Sequence, residues 1–343
     1  MNTNQTKPAI SVVIIGINVE AYISECIASV LNSNYPKELI EIIYVDGGSN
    51  DSSTKIAKSF PGVKTIELKD RHPTPGRGRN AGYQAAGNDL IQFMDADVEV
   101  HPNWLNTAVP YVQGDIGAVR GKRIEKYPHK NNYHLIGHIE WNITAGKSGH
   151  HFREGPCNFF GGDVLIKKSV LEAVDGFDAL LVAGEDPDIS YRVRRDGWII
   201  YQLDVVMTTH DLNMTTFKQY LKRAHRSGHA YAEIGFRYIR QKEKLFLRQL
   251  LRISGGALLP FILLGTSAMI KIGLLGVILA LLIALRPLIK IFLKKKAFGL
   301  TTAHAVLYGA HLSFVIYPQF IGIMRYVLTM GGKEPLKNKG YQS

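Results

Sequence analysis

The sequence predicts an α/β domain with a mainly parallel sheet, followed by a basic helix and a set of C-terminal membrane helices. Three features of the chain support this fold class. Short apolar runs alternate with helix-length segments over residues 1–216. An acidic turn directly follows two of these runs, at Asp46 and at Asp95. Beyond residue 252, three long stretches carry almost no charge, which is typical of helices that cross a bilayer.

The first part of the α/β domain shows a regular order of strands and helices. Helical spacing of apolar residues, as at Tyr22, Cys26 and Val30, and capping residues such as Asp51 indicate helices between short apolar runs. The predicted strands are Ile10–Ile17, Ile40–Val45, Val63–Leu68 and Leu90–Met94. The predicted helices are Ala21–Leu31, Ser52–Ser59 and Arg79–Ala86. This order is typical of βαβ units.

The second part of the domain is less regular. Gly121–Pro156 is rich in His, Lys, Asn and Gly, and we expect it to lie partly on flexible loops. Further on, regular structure is expected again from Phe159–Ile166. Apolar patterns then predict helices at Ser169–Val174 and Pro187–Arg195, and strands at Trp198–Leu203 and Val205–Thr209. We therefore assign residues 1–216 to one domain.

Charge divides the chain into an acidic and a basic part. Residues 1–216 have a net charge of −5 and residues 217–343 have a net charge of +17, within an overall +12. The basic part is also the apolar part, which favours an anionic membrane surface over nucleic acid as a partner. Residues 217–252 contain a basic amphipathic pattern that predicts a helix at the membrane interface. The alternative is a soluble helix packed on the domain.

Three apolar stretches predict a membrane region over residues 253–330, with a polar tail at 331–343. Ile253–Ile270 and Ile272–Leu285 are interrupted by Lys271, and Leu300–Met324 contains no Lys, Arg, Asp or Glu. A bilayer core needs about 20 apolar residues in each helix. Two helices with a re-entrant segment are the main alternative to three spans, and buried helices of a soluble domain are another.

The loops predict the orientation of these spans. Positive residues cluster before the first stretch and after the second, as in Lys294-Lys295-Lys296, whereas only Lys271 lies between them. The positive-inside rule then places the α/β domain in the cytoplasm of a multi-pass protein of the cell (inner or plasma) membrane. Met1–Pro8 contains no apolar segment of a cleavable signal peptide. The two cysteines, Cys26 and Cys157, are consistent with a reducing compartment.

The acidic turns predict the chemistry of the domain. Ligands of parallel sheets bind outside the carboxyl ends of the strands, where Asp46 and Asp95-Ala96-Asp97 fall. Asp95 and Asp97 lie two residues apart and point to the same face of an extended segment. Two carboxylates so close repel each other, and a divalent cation relieves that repulsion. Mg²⁺ commonly binds one or two carboxylates together with substrate phosphates. The sequence thus predicts a site for a nucleoside diphosphate and a cation.

Several motifs occur in the order in which family 2 glycosyltransferases of the GT-A fold carry them. They are Gly16-Ile17-Asn18, Asp46-Gly47-Gly48-Ser49-Asn50-Asp51, Gly78-Arg79-Asn80-Ala81-Gly82, Asp95-Ala96-Asp97, Gly161-Gly162-Asp163, Gly176-Phe177-Asp178 and Gly184-Glu185-Asp186-Pro187-Asp188. Through them the chain resembles this family from residue 10 to about residue 230. The resemblance implies a Rossmann-like mixed sheet that binds a nucleotide sugar.

The resemblance also implies roles for individual residues. Asp186 is the expected general base, with Asp97, His210 and Asp95 as metal ligands for Mn²⁺ or Mg²⁺. The residues expected to bind the donor are Ile17, Asn18, Asp46, Gly48, Arg79, Asn80, Asp95, Ala96, Gly162 and Asp163.

Four of these residues are also suited to purely structural roles. Asp46 is suited to capping its turn. Arg79 fits a solvated helix charge and Asp186 fits a helix-terminal charge. His210 fits an ordinary structural histidine. Asp188 and Arg192, at positions i and i+4, are expected to form an ion pair on a helix.

The sequence as a whole predicts a membrane-anchored, metal-dependent glycosyltransferase with a lipid-linked acceptor, and the resemblance to family 2 implies that it inverts the anomeric configuration. A nucleotide sugar and a polyprenyl phosphate or polyprenyl-diphosphate glycan are the expected substrates, and a homo-oligomer is left open. Processive polysaccharide synthases carry a Gln-x-x-Arg-Trp motif, whereas this chain has Gln219-Tyr220-Leu221-Lys222-Arg223, which favours transfer of a single sugar. A sugar-1-phosphate nucleotidyltransferase and a non-enzymatic membrane scaffold are two further hypotheses for a chain of this kind.

Overall fold

The chain divides into two compact units, which we describe separately. The computed structural model describes residues 7–69, 73–144, 154–240, 244–269 and 273–329. Of the described residues, the first unit takes in those within 7–127 and 154–212, and the second takes in those within 128–144 and 213–329. Lys271 and the polar tail predicted at 331–343 lie outside the described residues. The domain limits predicted from the sequence remain predictions, although the change of unit at residue 212 lies close to the predicted limit at 216.

The first unit is built on one mixed sheet. Within its described part, nine strands take part, in the order β3-β2-β1-β4-β8-β6-β9-β5, with β7 paired to β9. Strands β3, β2, β1 and β4 are parallel, β8 is antiparallel to β4 and to β6, and β6 is parallel to β9. The strands are β1 Ile10–Gly16, β2 Ile40–Asp46, β3 Val63–Glu67, β4 Leu90–Asp95, β5 Val98–Val100, β6 Ile116–Glu125, β7 Gly155–Cys157, β8 Val164–Lys167 and β9 Ile199–His210.

Hydrophobic layers cover both faces of this sheet. One layer contains Ile14, Ile27 and Trp104, and the other contains Val13, Phe93 and Ile189, all almost fully buried. Burial on both faces explains why β1 and β2 are continuous apolar runs in the sequence. The helices of this unit are α1 Ile23–Leu31, α2 Ser53–Lys58, α3 Pro75–Ala85, α4 Trp104–Ala108, α6 Lys168–Ala173 and α7 Glu185–Arg195. Helix α5 belongs to the second unit.

Most predicted elements of the first unit are confirmed to within a few residues, and one prediction is wrong. The segment beginning at Gly121, which was expected to lie partly on loops, also contains the end of β6, which continues to Glu125. Within the ordered segment expected at Phe159–Ile166, strand β8 begins at Val164. The prediction of two separate strands between 198 and 209 is wrong, because these residues form one strand, β9. Its pairing with β6 is irregular near Asp204, the polar residue that separated the two predicted strands.

The second unit is helical. Its described helices are α5 Asn132–His138, α8 Phe217–Arg240, α9 Leu247–Met269, α10 Gly273–Leu293, α11 Lys295–Phe298, α12 Thr302–Phe314 and α13 Ile316–Thr329, with a π-helical segment at Ile139–Thr144. Among the described residues, three helical spans are long and apolar enough to cross a membrane: Leu247–Met269, Gly273–Leu293 and Thr302–Thr329. This number agrees with the three stretches predicted from the sequence.

These helices pack through small residues. A Cβ added at Gly276 would lie 2.0 Å from Ser267, and one added at Gly309 would lie 2.7 Å from the Cα of Leu288. The contacts join α10 to α9 and α12 to α10. Large apolar side chains point outward instead, as at Phe261, which is 62% exposed, and Leu274, which is 78% exposed. Small residues inside and large apolar residues outside are typical of helices that pack in lipid.

Candidate active site

The Asp95-Ala96-Asp97 turn lies at the carboxyl end of β4. Asp95 is the last residue of that strand, and the backbone N–H of Ala96 donates to the carbonyl of Ile15 on β1 at 2.9 Å. Asp97 directly precedes β5, whose first residue, Val98, pairs with His210 at the end of β9. The pairing brings the Nε2 of His210 to 3.3 Å from Oδ2 of Asp97. Two residues far apart in sequence are thus neighbours.

Asp97 and His210 together fit a divalent cation. Oδ1 of Asp97 is buried and has no hydrogen-bond partner within the described residues. A buried carboxylate oxygen without a partner is costly, and a cation removes that cost. Carboxylate oxygen and imidazole nitrogen are both ligands of Mn²⁺ and related metals. These two predicted ligands therefore lie together with a suitable donor set.

Asp95 is placed differently, because two arginines occupy its carboxylate. Nη2 of Arg79 donates to Oδ1 at 2.9 Å, and Nη2 of Arg123 donates to Oδ2 at 2.9 Å. Burial alone would raise the pKa of Asp95, but the two guanidinium groups hold that pKa below its usual value. Asp95 is therefore a stable carboxylate held by arginines, and the structure does not show it facing the cation position.

Arg79 is buried and links the acidic turn to α7. Its side chain is only 3% exposed, so the alternative of a solvated helix charge is wrong. Besides Asp95, it donates through Nη1 to Oε1 of Glu185 at 3.2 Å, and Nη1 lies 3.7 Å from Oδ1 of Asp186. The ring of Phe177 lies 5.4 Å from the guanidinium carbon. The guanidinium thus contacts three carboxylates rather than an open phosphate position.

Asp186 is a carboxylic acid whose pKa is raised. It lies in the first turn of α7, which begins after Gly184 in a left-handed conformation with φ of 93°. Burial raises the pKa of Asp186 to about 8; Arg79 opposes this rise, and Glu185 and Asp95 add to it. A carboxylate with a pKa near the working pH can accept a proton from a substrate hydroxyl.

Gly162 leaves open the space beside these residues. A Cβ added at this position would lie 2.5 Å from Nη2 of Arg79 and 2.7 Å from Oδ2 of Asp95. The neighbouring Gly161 has no atom within 4 Å of an added Cβ. Gly162 therefore allows the backbone to pass against the Arg79–Asp95 pair, whereas Gly161 meets open space. The donor-binding role predicted for Gly162 stays a prediction.

The predicted donor-binding residues after β1 and β2 form one turn system. Asp46 accepts hydrogen bonds at 2.9 Å from the backbone of Gly48 and at 2.8 Å from that of Ser49, and it also accepts the Tyr44 hydroxyl at 3.0 Å. The turn-capping alternative for Asp46 is thus confirmed, and contact with a donor stays a prediction. Gly48 has a φ of 100°, which favours glycine at that position.

The loop after β1 is fixed against the same turn. Asn18 adopts φ of 54°, its amide oxygen accepts the Asn50 N–H at 2.9 Å, and its own N–H donates to Ser49 Oγ at 2.8 Å. Ile17 directly precedes it and lies close to Gly47. Residues 16–18 and 46–50 therefore share one edge of the sheet, as the sequence predicts.

Other predicted residues are engaged in structural contacts. The side-chain amide of Asn80 donates to the carbonyl of Phe177 and accepts its N–H, both at 2.8 Å. Asp163 is buried, and both of its oxygens accept hydrogen bonds from neighbouring residues. The Asp188–Arg192 ion pair on α7 is confirmed, with Nε to Oδ2 at 2.9 Å. The donor-binding roles of Asn80 and Asp163 remain predictions.

Sequence reasoning missed Arg123 and Thr208. Arg123 lies on β6, in the segment expected to be loop, and Thr208 on β9 donates to Oδ2 of Asp163 at 2.7 Å. The apolar run that begins at Ile116 indicates a strand that could have included Arg123, but Gly121 suggested that a loop begins there. In the structure, a Cβ at Gly121 would lie 2.7 Å from the ring of Trp104, so the glycine marks a close approach within a strand.

A small cavity adjoins Asp97. Its volume is about 200 Å³, and Tyr22, Glu25, Glu99 and Lys126 are among its lining residues. Lys126 bridges Glu25, at 2.9 Å, and Glu99. The lining is polar and charged, so the cavity can receive a hydroxylated or charged group beside Asp97.

Comparison with known proteins identifies the family of the first part of the chain. Residues 11–175 match the family model described as Glycosyl transferase family 2. The chain carries a family 2 glycosyltransferase domain. The match extends from β1 past β8, and it includes the Asp95-Ala96-Asp97 turn and Gly162. The nucleotidyltransferase and scaffold hypotheses are therefore set aside.

Named relatives are also glycosyltransferases. Glycosyltransferase AglE of Haloferax volcanii is 24% identical over 237 residues, which cover 67% of this chain and 75% of AglE. The poly(ribitol-phosphate) beta-glucosyltransferase of Bacillus spizizenii is 29% identical over 214 residues, which cover 55% of this chain and 33% of that protein. The chain thus spans most of the first relative but only a third of the second, and these matches support a glycosyltransferase enzyme.

Solved structures confirm the fold. The mannosyltransferase PcManGT from Pyrobaculum calidifontis, solved in complex with GDP-Man and Mn²⁺, has a TM-score of 0.60 at 15% identity, covering 93% of this chain and 88% of its own. S. aureus TarS 1-349 has a TM-score of 0.55 at 16% identity, covering 91% and 92% of the two chains. The predicted GT-A fold, with helices following its mixed sheet, is therefore confirmed.

Proposed function

We propose that this protein is a membrane-anchored, metal-dependent, inverting glycosyltransferase. It transfers a sugar from a nucleoside diphosphate sugar to a lipid-linked acceptor, either a polyprenyl phosphate or a polyprenyl-diphosphate glycan. The observation that carries the proposal is the position of Arg79 between two acids. Its Nη2 lies 2.9 Å from Oδ1 of Asp95, and its Nη1 lies 3.7 Å from Oδ1 of Asp186. This buried guanidinium holds the turn expected to bind the donor beside a carboxylate suited to activate the acceptor.

Asp186 takes a proton when the acceptor is a hydroxyl of a glycan. The hydroxyl oxygen then attacks the anomeric carbon of the sugar as its proton passes to the Asp186 carboxylate. A polyprenyl phosphate would attack through an oxygen that is already ionised and needs no base. The bond from the anomeric carbon to the nucleoside diphosphate breaks in the same displacement, and the diphosphate leaves with the electron pair. A single displacement from the opposite side inverts the anomeric configuration. A positioned carboxylate base commonly contributes about 10²–10⁴-fold to the rate.

The other side of the site stabilises the leaving group. Asp97 and His210 would hold the cation, since they lie 3.3 Å apart and Oδ1 of Asp97 has no other partner within the described residues. A bound divalent cation would supply positive charge to the departing diphosphate. Asp95, fixed by Arg79 and Arg123, is left to accept hydrogen bonds from the donor. One solved neighbour, PcManGT, is in complex with GDP-Man and Mn²⁺, and another, TarS 1-349, is in complex with UDP. These complexes support a nucleotide-sugar donor and a cation.

Membrane anchoring is supported by the packing of the second unit. Its three apolar spans turn large side chains such as Leu259 and Leu282 outward, while Ala257 and Ala280 are buried. In water, this exposed apolar area would be unfavourable by about 25 cal/mol for each Å². Helix α8 adds exposed positive charge at Lys218 and Lys222, which suits an anionic membrane surface.

The charged loops support a cytoplasmic active site. Lys294, Lys295 and Lys296 follow the second span, and the basic segment 237–252 precedes and begins the first. Under the positive-inside rule both ends lie in the cytoplasm. Reporters fused after residue 252 and within 294–299 should be active on the cytoplasmic side, and one fused at Lys271 should be inactive. Activity at Lys271 would exclude this orientation.

Transfer of a single sugar is favoured over processive synthesis. Gln219, the first residue of the segment that aligns with the processive motif, accepts the backbone N–H groups of Thr215 and Thr216 at 2.9 Å each. It thus caps the start of α8, and the tryptophan of the processive motif is missing from Gln219-Tyr220-Leu221-Lys222-Arg223. A processive synthase remains the second candidate function, and product length distinguishes the two.

One assay tests the proposal. Full-length protein in native lipid would be incubated with a panel of nucleotide sugars, with Mn²⁺, with Mg²⁺ and with chelator. Each condition is run with a polyprenyl phosphate and with a polyprenyl-diphosphate glycan as acceptor. We expect release of nucleoside diphosphate from one donor, dependent on cation and on acceptor, and a product longer by one sugar. With the glycan acceptor, Asp186→Asn serves as the inactive control. No release with any donor would overturn the proposal, and a polymeric product would favour the processive synthase.

A further inference from the structure

A closed ring of hydrogen bonds surrounds Asp95. Its backbone N–H donates to Oδ1 of Asp163 at 3.2 Å. Oδ2 of Asp163 accepts Nε of Arg123 at 2.8 Å, and Nη2 of the same guanidinium donates to Oδ2 of Asp95 at 2.9 Å. Both the backbone and the side chain of Asp95 are therefore attached to one pair of residues, Arg123 on β6 and Asp163, which directly precedes β8. Thr208 secures the ring from β9 through its bond to Asp163.

From this ring we infer that Arg123 is a positioning residue, which holds the Asp95 carboxylate toward the donor and keeps it out of the cation's ligand set. The inference rests on the proposed function, because it assigns separate tasks to the two acids of the Asp95-Ala96-Asp97 turn. Arg123 itself touches neither of the proposed cation ligands through a hydrogen bond among those described. Its effect on the reaction passes through Asp95.

The guanidinium group is needed for its shape. Arg123 reaches two carboxylates with two different nitrogens, and the planar fork fixes the angle between them. A lysine at this position keeps the positive charge, but its single ammonium group cannot reproduce the fixed fork. Substitution by lysine therefore separates positioning from charge.

Occupation of both Asp95 oxygens explains the division of tasks. Arg79 binds Oδ1 and Arg123 binds Oδ2, so a cation ligand role for Asp95 would require one of these charged bonds to break. In Asp97, by contrast, Oδ1 is buried without a hydrogen-bond partner within the described residues. Removal of Arg123 frees one oxygen of Asp95 and adds one uncompensated negative charge near Asp97. Cation affinity should then stay the same or increase, while the donor is held less well.

The experiment compares Arg123→Gln and Arg123→Lys with Lys122→Gln, which removes one positive charge from the adjacent position of β6. Lys122 pairs with Asp204 outside the ring, so its variant controls for charge and strand stability. Three quantities are measured on full-length protein in lipid: affinity for Mn²⁺ alone, affinity for a nucleoside diphosphate with Mn²⁺, and single-turnover rate. Wild type and all variants are also melted thermally.

We expect both Arg123 variants to lose about 10–100-fold in nucleotide affinity and turnover, as is common when a residue that orients a ligand-binding group is removed. Affinity for Mn²⁺ alone should not fall, and Lys122→Gln should match the wild type. Full rescue by Arg123→Lys, a parallel loss of Mn²⁺ affinity, or unchanged nucleotide affinity in Arg123→Gln would each overturn the inference.

Two further measurements separate misfolding and inactivity from the effect of Arg123. If Arg123→Gln does not fold, the double variant Arg123→Gln/Asp163→Asn removes the unpaired acid as well and is measured in its place. A wild-type protein that binds no nucleoside diphosphate and uses no nucleotide sugar defeats the proposed function. An active wild type with an unaffected Arg123→Gln variant defeats only the inference about Arg123.

Discussion

Oδ1 of Asp186 lies 3.7 Å from Nη1 of Arg79 and accepts no hydrogen bond within the described residues. The positive charge of Arg79 therefore lies near the Asp186 carboxylate without a hydrogen bond to it. The guanidinium donates its hydrogen bonds to Glu185 and Asp95 instead. A carboxylate that is held near the Arg79 guanidinium, and that still has an oxygen free of hydrogen bonds among the described residues, is suited to accept a proton from a hydroxyl group.

The Asp186→Asn variant should lose turnover and keep donor binding. The amide is nearly isosteric with the carboxylate, so the fold and the Asp97–His210 pair should persist. It cannot accept a proton, and we expect a loss of about 10²–10⁴-fold, or about 3–5 kcal/mol in the activation barrier. The measurements are the single-turnover rate and the donor dissociation constant.

Asp196→Asn is a matched control for this variant, because Asp196 is an exposed acid that follows the last residue of the same helix, α7. It should turn over donor like the wild type. A near-normal rate for Asp186→Asn would instead leave Asp186 as a helix-terminal charge. Glu185 and Asp188 would then be the next candidates for the base.

The pH dependence of kcat/KM should show the raised pKa of Asp186. Because burial raises this pKa to about 8, the carboxyl is protonated and inactive as a base well below that pH, and activity should rise as the pH approaches it. The positive charge of a bound cation shifts the rise to lower pH. Asp186→Asn should lose this rise together with its turnover. A profile of the wild type that is already flat from acidic pH upward would contradict the assignment.

Much of the sheet was predictable, because parallel strands buried on both faces are continuous apolar runs. Strands β1, β2 and β4 differ from the predicted ranges by one residue at most. The long-range contacts of the site were not predictable from local pattern. Arg79 and Glu185 lie 106 positions apart, and nothing in the sequence near Arg79 indicates that its charge is buried among acids. Gly121 likewise suggested a loop because glycine at a close approach looks the same in sequence as glycine in a turn.

Asp97→Ala should remove the cation dependence of nucleotide binding. The variant deletes the buried Oδ1 and leaves His210 without its carboxylate neighbour at 3.3 Å. Calorimetry with a nucleoside diphosphate, with and without Mn²⁺, should show equal and weak affinity in both conditions. Asp115→Asn is the control, since Asp115 is an exposed acid that directly precedes β6 and does not line the cavity beside Asp97. Retention of a Mn²⁺-dependent affinity by Asp97→Ala would rule out Asp97 as a ligand.

The Gly228→Ala variant should destabilise the second unit. Helices α8 and α13 touch backbone to backbone here: a Cβ at Gly228 would lie 1.9 Å from the carbonyl oxygen of Gln319, and one at Gly322 would lie 2.0 Å from that of His225. The helices must separate, at a cost of about 1–3 kcal/mol. Gly265→Ala, where no atom lies within 4 Å of the added Cβ, is the control. Equal thermal stability of the two variants in lipid would contradict this packing.

Gly162→Ala should weaken donor binding more than Gly161→Ala, although the two residues are adjacent. The added methyl at 162 would lie 2.5 Å from Nη2 of Arg79 and 2.7 Å from Oδ2 of Asp95, so it must displace that ion pair or the strand end that carries it. The methyl at 161 meets no atom within 4 Å. We expect a loss of about 10–100-fold in nucleotide affinity for Gly162→Ala, since a carboxylate that orients a ligand would move. Calorimetry with a nucleoside diphosphate and Mn²⁺ measures both variants, and a circular dichroism melt shows whether each is folded. Equal affinities in two folded variants would mean that the Arg79–Asp95 pair does not position the donor.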